Sequence, residues 1–154
     1  MDIDFSNRIK KYKFKFRVAG VFFYKGKLLV STDDNSDNYY LPGGRVKIAE
    51  SSRQALDREL EEELGIKCSI VRPLYLVESG HFNEVNYYVQ ELSLFYLIDV
   101  DDPKKIRFLK RDHNINLEFA FVDKSELENL NFKPKVLKEH FDDLPDELTI
   151  VYDF

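Results

Sequence analysis

Cysteine is almost missing from this 154-residue chain. A single thiol, Cys68, can form no disulfide within the chain and can build no cysteine-rich zinc centre. That usage fits a reducing compartment, and we expect a cytoplasmic protein. Glycine and proline are scarce, at 6 and 5 residues, and are scattered so that nothing marks a linker. Internal repeats are absent. Long apolar runs are missing too: LSLFYLI, at 92–98, is far shorter than the ~20 residues that span a bilayer. The start, MDIDFSNRIKKYKFKF, has no apolar segment of a secretory signal. No membrane partner is therefore expected. An excess of positive charge is also lacking. The formal net charge of −5 removes the bulk basic character that would point to duplex nucleic acid. An acidic balance does not forbid a phosphate substrate, because a bound cation inverts the local field.

What is present is an ordinary globular composition. Hydrophobic residues make up 44% and charged residues 33%, enough to build one sizeable core, so residues 1–154 are expected to form a single domain. Residues 10–24 begin with strict alternation, Tyr12, Phe14 and Phe16 against Lys13, Lys15 and Arg17, and then turn continuously apolar. That predicts a strand, half-buried first and fully buried later. Lys25-Gly26 reads as a turn and KLLVS, 27–31, as the returning strand of a hairpin. DDNSDN, 33–38, is a polar loop, and YYLPGG, 39–44, a short extended piece. Further strands are predicted over 67–79, with a proline interruption, over 87–100, over 116–123 and in LTIVYDF at the end of the chain. Short helices are predicted in KSELENL and in 134–144, with Pro134 in the first turn of the latter. Strands and helices in mixed order, with hairpins, indicate an α/β or α+β fold around a mixed sheet.

The densest charge lies in RELEEELG, residues 58–65. Ser51 and Gln54 match a capping box, and Gly65 stands where a helix C-cap belongs, so 51–64 is predicted to be a helix. On that helix Glu59, Glu62 and Glu63 share one face at i, i+3 and i+4, while Leu56, Leu60 and Leu64 form an apolar stripe beside them. Three like charges in one turn oppose helix formation by about 0.2–0.5 kcal/mol per pair. A solvated acidic face and a site for a hard divalent cation both account for the run.

The surroundings of the run are more specific. Gly44, Glu50, Arg58, Glu59, Leu60, Glu62, Glu63, Gly65 and Ile66 fit G-x5-E-x7-R-E-U-x-E-E-x-G-U, with U an aliphatic residue. Average residue frequencies put a chance match on the order of one in a billion per start position. Gly44–Ile66 resembles the Nudix box, the signature of the Nudix hydrolases, at every defining position. The resemblance implies an α/β/α sandwich around a mixed sheet. It also implies Mg²⁺- or Mn²⁺-dependent hydrolysis of a pyrophosphate bond in a nucleoside diphosphate derivative or nucleoside triphosphate. On the matching positions it implies Glu59, Glu62 and Glu63 as metal ligands, with Glu62 the central one, and the Gly43 carbonyl as a further ligand. Glu50 would be an outer ligand, and Arg58 would hold a carboxylate in place. A metal would neutralise phosphate oxygens and make a water nucleophilic, leaving a carboxylate to orient or deprotonate that water.

Candidates outside the box are weaker. Glu91, on the 87–100 strand with Ser93 and Phe95 on its face, is the best later acid, either as a ligand or as a surface residue of an edge strand. The basic residues Lys11, Lys13, Lys15 and Arg17 read as guards of an outer strand or as phosphate contacts, Arg17 first among the latter. Tyr39, Tyr40, Phe82 and Tyr87 flank the expected site and offer rings for a base. Among these, Arg17 and Tyr40, with Gly44, are the expected substrate contacts. His81, His113 and His140 are isolated, His81 in the loop before the Glu91 strand. Signatures of particular substrate classes in the family are not found; position 83, where dinucleoside polyphosphate hydrolases are expected to carry tyrosine, is Asn83. The partner is expected to be a small nucleotide, with a homodimer by analogy. The alternative is a non-catalytic Nudix-fold module that binds nucleotide, although such modules lose box glutamates that are all kept here.

Overall fold

A computed structural model of the chain describes residues 11–34, 36–112 and 115–154. The expected strand start at residue 10, Asn35 of the polar loop and His113 lie outside these. In chain order the elements are β1 (Tyr12–Val21), β2 (Phe23–Tyr24), β3 (Lys27–Asp33), β4 (Gly43–Arg45), α1 (Ser52–Leu64), β5 (Cys68–Phe82), β6 (Tyr88–Val100), β7 (Leu109–Asp112), β8 (Ile115–Val122), α2 (Lys124–Glu128), α3 (Lys135–Glu139) and β9 (Thr149–Asp153). A 3-10 turn at Pro103–Lys105 joins β6 to β7.

Two sheets form. The first is mixed, in the order β4-β1-β6-β5-β9, and the second is antiparallel, β2-β3-β8-β7. β1 runs parallel to β6 and β9 parallel to β5, whereas β5 and β6 form a long antiparallel hairpin. The expected hairpin at Lys25-Gly26 exists, with both residues at positive φ, 51° and 75°, as a type I′ turn requires. Its strands are β2 and β3, and the chief partner of β3 is β8. The chain changes sheets at Phe22, so the continuous apolar run feeds both. Pro73 sits at the expected interruption of β5, where the register with β6 shifts twice.

α1 forms as its sequence dictates. Ser51 Oγ accepts from the Gln54 amide at 3.2 Å and Gln54 Oε1 accepts from the Ser51 amide at 2.9 Å, closing the capping box. Gly65 ends the helix in the left-handed region at φ 72°. Ala55, Leu56, Leu60 and Leu64 are buried on one side of the sheets, against Val18, Phe22, Leu29, Tyr96, Ile98 and Phe119. Leu127, Phe132, Leu137 and Phe141, from α2, α3 and the segments beside them, pack on the other side against Ala19, Tyr75, Val77 and Phe95. The layers are those of the expected sandwich.

Three expectations change. α3 is shorter than the predicted 134–144 segment, and Pro134 precedes it as the N-cap residue. His81 belongs to β5, paired with Val89, and not to a loop, because the β5–β6 hairpin extends to Phe82. β1 is an inner strand over Arg17–Ala19, where β4 and β6 flank it, and only its earlier part is free of β4. Its aromatic face is the open one: Tyr12 is 50% and Phe14 37% exposed, whereas Lys15 and Arg17 are half-buried.

Leu60 is fully buried between α1 and the sheets. Leu60→Ala is expected to lose about 2–5 kcal/mol in urea unfolding, as large-to-small changes in closed cores do. Ser51→Ala is expected to lose about 1 kcal/mol through the lost cap.

Candidate active site

The site begins at β4, whose two glycines lie against α1. Gly43 pairs with Ala19 and Gly44 with Val18. Hydrogen bonds from Gly20 N to Pro42 O and from Val46 N to Phe16 O fix the ladder, so Gly43–Ala19 is a non-hydrogen-bonded pair. Both backbone groups of Gly43 therefore turn away from β1. Its amide donates to Glu63 Oε2 at 3.0 Å. Gly44 lies against Glu59, and a Cβ added there would overlap the Glu59 carboxylate. Gly43 also has φ 158°, and a Cβ on it would run into Val18 O and Ala19. The paired glycines let the helix carboxylates approach the strand.

Arg58 organises those carboxylates. Its Nε donates to Glu50 Oε1 at 2.7 Å and its Nη2 to Glu50 Oε2 at 2.9 Å, a two-pronged pair. Nη1 donates to Glu59 Oε1 at 2.7 Å and lies 3.6 Å from Glu62 Oε2. Nη2 also donates to Arg45 O at 3.1 Å, which ties β4 to the helix. The Lys47 amide adds a bond to Glu50 at 2.9 Å. Above all the Arg58 hydrogen bond lowers the Glu50 carboxyl from its ordinary 4.5 to about 2, with the Lys47 amide assisting against desolvation. The same pair, Glu50 first, raises the guanidinium.

The four acids are thus gathered at one place but differ in freedom. The side chains of Glu50 and Glu59 are 15% and 16% exposed and held, whereas Glu62 is 51% exposed. Among the described residues no three His, Cys, Asp or Glu side chains converge in a metal-holding arrangement. The donor set nevertheless suits a hard divalent cation: carboxylates from one helical turn, beside a strand carbonyl that β1 does not use. Glu59, Glu62 and Glu63 with the Gly43 carbonyl are the residues that fit such an ion, and Glu62 has room to turn towards it.

Across the sheet from α1 lies a cavity of about 350 Å³, within the range of small-ligand pockets. Its polar lining is mixed, with Lys15, Arg17, His81, Ser93 and Tyr40 beside the acids Glu91 and Asp153. Val18, Ala19 and Leu41 form its wall nearest Gly43, the partner of Ala19. Glu91 sits beside Lys15 in the β1–β6 register and accepts from Ser93 Oγ at 2.8 Å. Burial, more than any other cause, keeps the Lys15 ammonium below its ordinary range, with Arg17, Arg45 and Lys13 adding to the effect and Glu91 opposing it. Of the residues expected from sequence, Arg17, Tyr40 and Glu91 meet in this cavity. Glu50, Arg58, Glu59, Glu62, Glu63, Gly43 and Gly44 meet at the helix, so Glu91 stands apart from the helix acids. Tyr39 packs in the core, and Phe82 and Tyr87 are exposed away from it. Lys133 and Pro134 also line the cavity. Sequence reasoning missed them because nothing in a segment so distant along the chain signals contact with β1.

Fold and site together define a mixed α+β domain with a carboxylate-rich helix set against a glycine strand. The NUDIX domain family matches residues 14–143, and the chain belongs to the Nudix family, a pyrophosphohydrolase by class. No curated protein matches the sequence. Among solved structures, the ORF135 protein of E. coli is 25% identical over 83% of this chain and 88% of its own, with a TM-score of 0.53. A mutator MutT protein from Bacillus halodurans shares the fold at a TM-score of 0.67, with 14% identity over 91% of this chain and 90% of its own. An ADP-ribose pyrophosphatase from Streptococcus suis has a TM-score of 0.55, with 13% identity over 90% and 98%. Family members generally use divalent ions. Among the described residues no helix is long and apolar enough to cross a membrane.

Glu50 has a lower pKa folded than unfolded, so its ion pair stabilises the fold fully above about pH 4.5 and is lost as the pH falls towards about 2. Without added divalent cation, Glu50→Gln is expected to lose about 1.5–3 kcal/mol at pH 7, the range for a hydrogen bond to a charged group. The deficit should shrink below pH 3, as urea unfolding at the two pH values will measure.

Proposed function

We propose that the protein hydrolyses a pyrophosphate linkage in a nucleoside triphosphate or nucleoside diphosphate derivative, with Mg²⁺ or Mn²⁺ as the ion. The observation that carries this reading is the setting of Glu59 and Glu63 against Gly44 and Gly43, one strand away from the cavity wall formed by Ala19. Glu59, Glu62, Glu63 and the Gly43 carbonyl would hold the ion, with Glu50 behind them. When bound, it would neutralise phosphate oxygens and acidify a water.

The chain's own residues do the rest. Arg58 holds Glu50 and Glu59 fixed, so little ordering remains when substrate arrives. Glu62, more exposed than Glu50 and Glu59, is the one we assign to the centre of the set. Arg17 and Lys15 offset the negative charge of a nucleotide entering the cavity, and Tyr40 gives a ring to its wall. Glu91, held by Ser93, we place on the substrate side, where it accepts hydrogen bonds from the group attached to the phosphates. Gly44 serves substrate only indirectly, by leaving room for Glu59.

A phosphate-release screen across nucleotides, with and without Mg²⁺, tests the reading. Glu62→Gln is expected to lower kcat about 10²–10⁴-fold on whichever substrate turns over, the size of a lost acid–base or ligand group. Turnover that survives both this change and chelation of the ion would sink the proposal.

A further inference from the structure

Charge is sorted along the sheet side of the cavity. The strand registers set Lys15 beside Glu91, Glu91 beside Ser79 and Ser79 beside Asp153. Paired residues point to the same face, so β1, β6, β5 and β9 each give one polar side chain to a single row, and all four line the cavity. The cation stands at the β1 end, where Arg17 adds a second, and an acid closes the β9 end. Adjacent strands lie about 4.8 Å apart, so the row spans about 14 Å. Only an extended ligand touches both ends.

The two acids of the row are held differently. Ser93 Oγ donates to Glu91 Oε1 at 2.8 Å, and Lys15 lies beside that carboxylate. Asp153 is exposed on its edge strand, and among the described residues its carboxylate takes no hydrogen bond and no ion pair. A carboxylate at neutral pH only accepts hydrogen bonds, whereas the Ser79 hydroxyl donates or accepts as its neighbour requires. Asp153 therefore fixes the polarity of the Ser79–Asp153 pair: acceptor at β9, with a donor available at β5.

We propose, on the reading that the cavity takes the nucleotide, that Ser79 and Asp153 recognise its base and select the amino edge of cytosine or adenine over the oxo edge of uracil or hypoxanthine. Asp153 accepts from the exocyclic amino group, and Ser79 donates to the ring nitrogen beside it. The oxo edge reverses both positions and sets a carbonyl oxygen against a carboxylate. Acceptor then faces acceptor, which costs more than a bond merely left out. Lys15 and Arg17 at the other end of the row suit the phosphates, so the ligand has one orientation along it.

Steady-state kinetics of CTP against UTP and of ATP against ITP, each with Mg²⁺, tests this, because the members of each pair differ at that edge alone. The wild type should favour the amino member by about 10-fold or more in kcat/KM. Asp153→Asn, whose amide turns to donate or accept, should bring both ratios to within about 2-fold with circular dichroism unchanged. Calorimetry of CTP and UTP on Glu62→Gln reads the same preference as binding. A wild type that treats both pairs alike overturns the proposal. So does an Asp153→Asn variant that keeps the wild-type ratios or loses all four nucleotides equally. Turnover without preference removes this assignment and leaves the hydrolase reading standing, whereas a chain that neither binds nor turns over any nucleotide removes both.

Discussion

The arrangement of this protein depends on one guanidinium. Arg58 joins the loop acid Glu50, the helix acid Glu59 and the carbonyl of Arg45 on β4, and it approaches Glu62 as well. Without a cation at that point, the glutamates of α1 would repel one another across a single turn, and Glu50 of the loop after β4 would lose its link to the helix. Arg58 gives the helix its local charge balance. It also sets the distance between α1 and the glycine strand, because the same fork holds both. The fork is partly exposed, so its worth lies more in geometry than in gross stability.

The sheet divides the labour around that point. β1 presents Val18 to the α1 side and Arg17 and Ala19 to the cavity side, as alternation requires. β4 lies beside it, and its glycines bring Glu59 and Glu63 to within one strand of the cavity. The cavity's lining is mixed, with Lys15 and Arg17 beside Glu91.

Much of the local structure was legible in the residues. The Ser51–Gln54 box, the Leu56, Leu60 and Leu64 stripe and the Gly65 cap defined α1, because capping and 3.6-residue periodicity act within a few residues. The Lys25-Gly26 turn and the long strands over β5 and β6 were readable for the same reason. What was not legible was partnership. The alternation of β1 showed two faces but not which one would be covered, and the aromatic face proved the open one. Lys133 and Pro134 entered the cavity from over a hundred residues beyond Arg17, where no periodicity connects them.

The sequence alone determined the helix, its acids and the spacing that marks the family, since each follows from bonds and repulsions between near neighbours. Tertiary structure alone decided that β1 lies beside β6 and that Glu91 faces Lys15 and stands apart from the helix glutamates. It also decided that one sheet face is left apolar and open. Those outcomes are set by long-range strand registers and by where the helical layers stop, and free energies of that kind are shared among residues far apart in the chain.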